Sequence, residues 1–412
     1  MLPVTPFDNS PPHAVTAQAS PNTPNILLRL WRNEGSRGVI IQIVTMVVLF
    51  ALLAAIARNV VVNLAEVGKE FSFAFLTWPA AYDIGFSPFI EYTNQSTHLR
   101  AAVVGLLNTL LVAVCGCALA SVLGFALGIM RLSSNWLVSR ISYVFVEFVR
   151  NVPVLIHILA IYSLVVTLLP PAKKAIDVGA GAFFLSNRGF YTPSPVFEPG
   201  AGMVGIAIIL AIVIAVGFKR WAKQAQDKTG KAYPVFWIST AIIIALPSIA
   251  FIAAGMPLSW DIPALKGFNF KGGMAIKPEF LALCLALSYY TACFISEIVR
   301  AGILAISRGQ SEAAHALGLQ NNRTLQLIII PQALRVIVPP LCSQYLNLTK
   351  NSSLAIAIGY MDITATIGGI SLMQTGKEME TMMIVMGVYL VISLIISSFM
   401  NWFNQRIKLT ER

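Results

Sequence analysis

Few residues in this 412-residue chain are of the kinds that break bonds. His13, His98, His157 and His315 are scattered, and Cys115, Cys117, Cys284, Cys293 and Cys342 lie inside apolar segments without the paired spacing of a metal site. A nucleophile with a neighbouring base cannot be assembled from them, so hydrolytic chemistry is set aside and the cysteines read as small buried hydrophobes. No G-x-x-x-x-G-K-[ST] occurs, so the chain has no phosphate-cradling loop of its own. The informative polar residues sit in apolar surroundings instead. Glu147 and Arg150, and likewise Glu297 and Arg300, stand three apart, which puts each pair on one helix face. Charges in an apolar span cost several kcal/mol unless paired or wet, so each pair either ties helices together or lines a polar path. Pro153 removes a backbone donor and kinks the span it interrupts, with Asn151 before it. His157, one turn beyond, reads as a packed polar residue ahead of a ligand or proton relay. Lys350-Asn351-Ser352-Ser353 is a second polar interruption, where a helix can unwind against its neighbours.

The elements that must position these groups are membrane spans. Of all residues, 57% are apolar and 11% charged, against roughly 45–50% and about 25% in an ordinary soluble chain. A hydrocarbon core of about 30 Å takes roughly 20 residues of helix. Eight runs approach that length, at about 39–57, 101–130, 141–169, 203–217, 236–255, 280–305, 332–349 and 381–403. Residues 1–25 are proline-rich and polar and read as a disordered tail, without the pattern of a signal peptide. The net charge of +11 is spread between the spans, which makes nucleic acid an unlikely partner. With the N-terminus inside, the inner segments carry 15 Lys or Arg and the outer ones 9, so both termini are placed in the cytoplasm. Lys219, Arg220, Lys223, Lys228 and Lys231 against Asp227 make the segment 219–231 the strongest inward signal. In the first outer loop Phe71, Phe73, Phe75, Trp78 and Tyr82 are expected to lie along the interface as an aromatic belt.

One inner stretch, from Ser311 to Pro331, reads as two short helices. Ser311 is placed as the first cap, Glu312 suits the positive helix end, and Gly318 stops the helix in the left-handed conformation. Asn321 or Asn322 is placed as the second cap, and Pro331 opens the next span.

The run Glu312-Ala313-Ala314, Gly318-Leu319 and Ile-Ile-Pro331 resembles the EAA coupling loop of the membrane subunits of ATP-binding-cassette importers. Gln310-Ser-Glu-Ala-Ala, Pro331-Gln-Ala-Leu-Arg335 and the stretch from Tyr290 through Glu297 and Arg300 resemble the polar amino acid branch, and the chain is most similar to its long, general L-amino acid permease form. The resemblance implies an all-α membrane protein with about eight transmembrane helices: a five-helix type I importer core, an extra N-terminal span and an inserted helix pair. On that plan residues 1–38 are the cytoplasmic tail, 39–100 the extra span and periplasmic loop, and 101–169 the first part of the core. Residues 170–279 are the inserted loops and two spans, 280–403 the second core part with the coupling loop at 308–331, and 404–412 a cytoplasmic tail.

The resemblance further implies a permease subunit of an importer in the bacterial inner membrane. Its partners would be the lipid bilayer, an ATPase dimer holding the ATP and Mg that this chain does not bind, a periplasmic amino acid binding protein and a second homologous permease chain in a heterodimer. Arg150-Asn151-Val-Pro153 is similar to the family's Arg-Gly-Thr-Pro stretch. Lys350-Asn351-Ser352-Ser353 stands where relatives carry Lys-Asp-Ser, whose acid and hydroxyl resemble a substrate-binding pair. Glu147, Arg150, Asn151, Pro153, His157, Lys350, Asn351, Ser352 and Ser353 are therefore the candidate substrate path, and Glu297–Arg300 a structural ion pair. An ion-coupled secondary transporter is the alternative; it needs acids at mid-membrane, where the spans offer only Glu147 and Glu297 beside arginines.

Overall fold

Backbone groups in hydrocarbon must find partners within their own segment, so the apolar runs fold as helices. The computed structural model describes residues 34–66, 68–179 and 181–407. Among these are seven helices long and apolar enough to cross a membrane, and a bent pair that, taken as one span, brings the number to eight. The expected tail at 1–25 lies outside the described residues, as do Lys408 and Arg412.

Helix α1 (Glu34–Glu66) belongs to a unit of its own that ends at Ser72. Its side chains are exposed almost all round, as a helix solvated by lipid requires.

The second unit begins at Phe73. Its order is α2 (His98–Arg131), α3 (Trp136–Asn151), α4 (Val154–Leu168), four short strands β1–β4 (Ile176–Gly179, Phe183–Ser186, Gly189–Thr192, Ser194–Phe197), α5 (Ala201–Thr229) and α6 (Val235–Ala253). Four more strands follow, β5–β8 (Leu258–Asp261, Ala264–Lys266, Asn269–Lys271, Met274–Ile276), then α7 (Pro278–Leu304), α8 (Arg308–Ala316), α9 (Asn321–Thr324), α10 (Ile330–Asn351), α11 (Leu372–Thr375) and α12 (Glu378–Ile407). The crossings formed by α2, the α3–α4 pair, α7, α10 and α12 make the five-crossing core. Its interior is built on α2 packed against α7. At Gly124 and Gly128 of α2 an added Cβ would lie 2.6 Å from Ile295 and 2.7 Å from Val299, so the two glycines let the helix backbones close. Without a hydrophobic drive between helices in lipid, such small-residue contacts carry much of the association.

Outside this core, α5 and α6 pack mainly on each other. Helix α5 continues past the span expected at 203–217 through Lys219, Arg220, Lys223 and Lys228, because no breaker intervenes before Gly230, which is left-handed. The loops flanking this hairpin are folded, an outcome the hydropathy pattern does not reveal. β1, β2, β3 and β8 form an antiparallel sheet, and β8 pairs with β3 from Phe190↔Ile276 to Thr192↔Met274, closing the insert just before α7. Phe270 stacks at 4.6 Å on Phe184 and packs at 4.7 Å against Tyr191 to give it a small core.

The aromatic belt requires correction. Phe75 and Tyr82 are buried, Phe75 against the His98 ring at 5.9 Å and Tyr82 with its hydroxyl 3.1 Å from Ser371 Oγ. The loop before α2 folds inward because a bridge between Pro79 and Thr97 turns it over α2. Trp78, Phe71 and Phe73 remain exposed.

Candidate functional site

The segment 308–331 forms an elbow. Helix α8 starts at Arg308, with Ser307 in the cap position, so Ser311 is inside the helix and does not cap it. The second helix starts at Asn321 behind Gln320, so neither Asn321 nor Asn322 is its cap. The helix stop is as expected: Gly318 has φ of +79°. The Gly318 N–H donates to the His315 carbonyl at 2.9 Å and the Leu319 N–H to the Ala314 carbonyl at 3.1 Å, the paired closure that a left-handed glycine permits. His315 Nε2 donates to Asn321 Oδ1 at 2.7 Å across the corner, and Gln332 Nε2 donates to Gln310 Oε1 at 3.2 Å, which fastens α8 to α10. Ala314 is buried beneath the elbow, while Glu312 and Ala313 are exposed and Leu317 is 81% exposed at its tip. Pro331 has no N–H for the Leu327 carbonyl. The preceding turn, Leu325–Ile329, is correspondingly wide, with the Ile330 N–H reaching back to Leu325, and the helical run passes unbroken from Asn321 into α10.

The two predicted ion pairs merge into one cluster. Glu297 Oε1 accepts from Arg300 Nη2 at 2.7 Å, and Oε2 accepts from Arg131 Nη1. Arg150 Nη1 lies 4.0 Å from Glu297 Oε2 and 3.4 Å from Glu147 Oε1. Arg131, at the end of α2, is the member that sequence reasoning missed; its only signal was a basic residue closing an apolar run.

Beside this cluster the span bends by 105° at Val152–Pro153. In an unbroken helix the Val149 carbonyl would accept from residue 153, which is proline and has no N–H. That carbonyl accepts instead from the Val152 N–H at a longer 3.4 Å and from His157 Nε2 at 3.1 Å. Its other nitrogen, Nδ1, therefore accepts from the Tyr289 hydroxyl at 2.6 Å, and both ring nitrogens are satisfied. Asn151 Nδ2 donates to the Glu147 carbonyl at 2.7 Å on the near side of the bend. His157 is buried, with both ring nitrogens engaged at the bend.

At Lys350-Asn351-Ser352-Ser353 the α-helix gives way to a 3-10 turn, Ser352–Ile358, which ends at left-handed Gly359. Ser352 is buried, its Oγ donating to the Thr349 carbonyl at 2.8 Å, and Ser353 Oγ donates to the Lys350 carbonyl at 2.8 Å. Lys350 is exposed and Asn351 half-buried. Close by lies an acid outside the predicted spans. Asp362 is fully buried; its Oδ1 accepts from the Ala365 N–H at 2.8 Å and its Oδ2 from the Tyr389 hydroxyl at 3.0 Å. The same hydroxyl is 3.3 Å from Thr364 Oγ1 and 3.4 Å from Ser352 Oγ. Asp362 is the single acid between Glu312 and Glu378, a signal that spacing arguments on the spans passed over. Among the described residues no hydrogen bond or ion pair joins this network to the Glu297 cluster.

Long apolar helices, one pair of them bent and held by buried polar groups, together with an elbow that presents an apolar tip, define a multi-pass membrane protein. A family model described as the binding-protein-dependent transport system inner membrane component matches residues 207–409. The chain is 46% identical over 376 residues to the general L-amino acid transport system permease protein AapQ of Rhizobium johnstonii, covering 91% of this chain and 93% of that one. It is 47% identical over 380 residues to a putative amino-acid ABC transporter permease protein, YhdX, of Escherichia coli, covering 92% and 96%. Against the glutamate/glutamine/aspartate/asparagine transport system permease protein BztB of Rhodobacter capsulatus the identity is 46% over 406 residues, covering 91% and 95%. A solved amino acid ABC transporter with histidines is similar at 19% identity and a TM-score of 0.44, over 75% of this chain and 95% of that one. The chain belongs to the binding-protein-dependent permeases of the polar amino acid ABC transporters, multi-pass proteins of the inner membrane. That assignment sets aside the ion-coupled alternative.

Proposed function

We propose that this chain is one of two homologous permease subunits that carry polar L-amino acids inward by alternating access, with energy from a separate ATPase dimer and substrate delivered by a periplasmic binding protein. The elbow at 308–331 carries the reading. Its exposed Glu312, Ala313 and Leu317 stand on a helix that is stopped, turned and fastened to α10, so a push on the tip is delivered to a span. Both termini, the elbow and the basic end of α5 face the cytoplasm. ATP and Mg belong to the partner ATPase; ATP binding there would move the elbows and open the pathway outward, and hydrolysis would reset it.

The substrate path runs past Glu147, Arg150, Asn151, Pro153 and His157 on one side and Lys350, Asn351, Ser352 and Ser353 on the other. Asn351 is neutral where the family carries an acid. An amide oxygen accepts from a substrate ammonium but does not neutralise it, and charge-assisted hydrogen bonds are roughly twice as strong as neutral ones. The substrate therefore sits mainly in the partner permease, and Asn351→Ala lowers uptake only modestly while loss of the partner's matching acid abolishes it. Equal losses from the two changes would refute this asymmetry.

The coupling assignment is tested at Gly318. A branched side chain at φ of +79° is strained and misaims α9, so Gly318→Val, assembled at wild-type levels, is expected to lower uptake more than tenfold. Normal uptake in that variant overturns the assignment.

A further inference from the structure

The arginines around Glu297 outnumber the acids. Arg131, Arg140, Arg150 and Arg300 face only Glu147 and Glu297, and both oxygens of Glu297 are already taken by Arg131 and Arg300. Arg140 makes no ion pair among the described residues; its guanidinium lies 5.5 Å from the ring centroid of Tyr143, as does that of Arg131. A cavity of about 370 Å³ opens here, lined by Arg131, Trp136, Ser139, Arg140, Tyr143 and Arg300, with no acid in its wall. The Arg131 side chain is only 4% exposed, so this is a built, electropositive recess and not a scatter of surface charge.

A second groove, of about 470 Å³, adjoins it and shares Trp136 and Arg140. The rest of its lining is apolar: Leu137, Ile141, Val144, Phe145 and Phe148, along the outer face of α3. The opposite face of the helix buries Ser142, Val146 and Val149 against the core, so the groove is not part of the internal packing. From Trp136 to Phe148 the helix rises about 18 Å, close to the roughly 15 Å depth of one bilayer leaflet.

We propose that these two features form a binding site for an anionic phospholipid, with the phosphodiester in the arginine recess and one acyl chain along the α3 groove. Guanidinium groups recognise phosphate oxygens in a planar, two-bond geometry, and a surplus of positive charge favours a headgroup without a balancing ammonium. Trp136 sits at the junction of polar and apolar parts, where aromatic side chains collect at a membrane surface. A bound lipid would clamp α3 to the ends of α2 and α7, on the near side of the 105° bend.

The test uses the complete transporter purified in detergent, stripped of lipid and titrated with phosphatidylglycerol, phosphatidylcholine of the same chains, or inorganic phosphate, with bound lipid counted by native mass spectrometry. Saturable phosphatidylglycerol binding at least tenfold tighter than phosphatidylcholine is expected. It should weaken about tenfold in Arg140→Gln, recover partly in Arg140→Lys, and weaken in Ile141→Asn. Arg140 and Ile141 are both exposed, so these variants fold. Equal affinity for the two lipids, or unchanged binding in Arg140→Gln, overturns the headgroup assignment. Inorganic phosphate binding as tightly as the lipid, with no effect of Ile141→Asn, overturns the acyl-chain half. Cross-linking of Phe145→Cys to the second permease chain would make the groove a protein interface and also overturn the site.

Discussion

The break at Val152–Pro153 bends one span of the core, and the break between Ser352 and Asp362 ends another, by different means. The first is covalent and local: a proline deletes one donor, and a histidine four residues on replaces it at the Val149 carbonyl. The second contains no proline, since none occurs after Pro340. It is held open from outside. Asn108 Nδ2 of α2 donates to the Met361 carbonyl at 2.9 Å, Thr109 Oγ1 accepts from the Ile363 N–H at 3.1 Å, and Tyr389 of α12 donates to Asp362. A helix can thus be broken by its own residues or by competing partners from its neighbours. In hydrocarbon either route works only if every freed backbone group is satisfied again.

This contrast predicts unequal sensitivity. Asp362→Ala leaves the buried Ala365 N–H without its acceptor and the Tyr389 hydroxyl with only the longer contacts to Thr364 and Ser352, and hydrogen bonds to a charged group are worth about 1.5–3 kcal/mol each. A loss of about 3 kcal/mol in the unfolding free energy of the purified permease is expected; a loss below about 1 kcal/mol would mean the second break holds itself open. His157→Phe leaves the Val149 carbonyl with only the long contact from the Val152 N–H, at a cost of about 1 kcal/mol. The bend should persist, because the proline remains; spin-label distances between α3 and α4 check this, and straightening would show that His157, not Pro153, makes the bend. The smallest effect is expected at the charge cluster. Glu147 is half-exposed and Arg150 keeps Glu297 nearby, so Glu147→Gln should change stability by less than about 0.5 kcal/mol. A larger loss would make the cluster as demanding as the Asp362 network.

Much of the molecule was legible before any coordinates. The eight crossings follow from run length, and the helix stop at Gly318 follows from the residue type needed for a positive φ. The location of the first break follows from a missing N–H at Pro153. Other features resisted the same reasoning. Glu147–Arg150 and Glu297–Arg300 look like two separate pairs in one dimension, and only the packing of α2 and α3 on α7 brings Arg131 and Arg150 to Glu297. Asp362 escaped because it lies between spans, where an acid draws no notice.

By itself the sequence determined the number of spans, the elbow and the proline bend, since each depends on local quantities: apolar run length, backbone conformational freedom and the presence or absence of one N–H. Prolines alone did not decide where spans break. Pro247 lies inside α6, and Pro339 and Pro340 inside α10, without stopping either helix. The tertiary structure decided the second break, the merging of the charges and the folding of Phe75 and Tyr82 away from the surface. Each of these depends on which donors, acceptors and small residues neighbouring helices present at close range. Such partners are distant in the chain, Asn108 from Met361 and Arg131 from Glu297, and one-dimensional periodicity carries no information about that proximity.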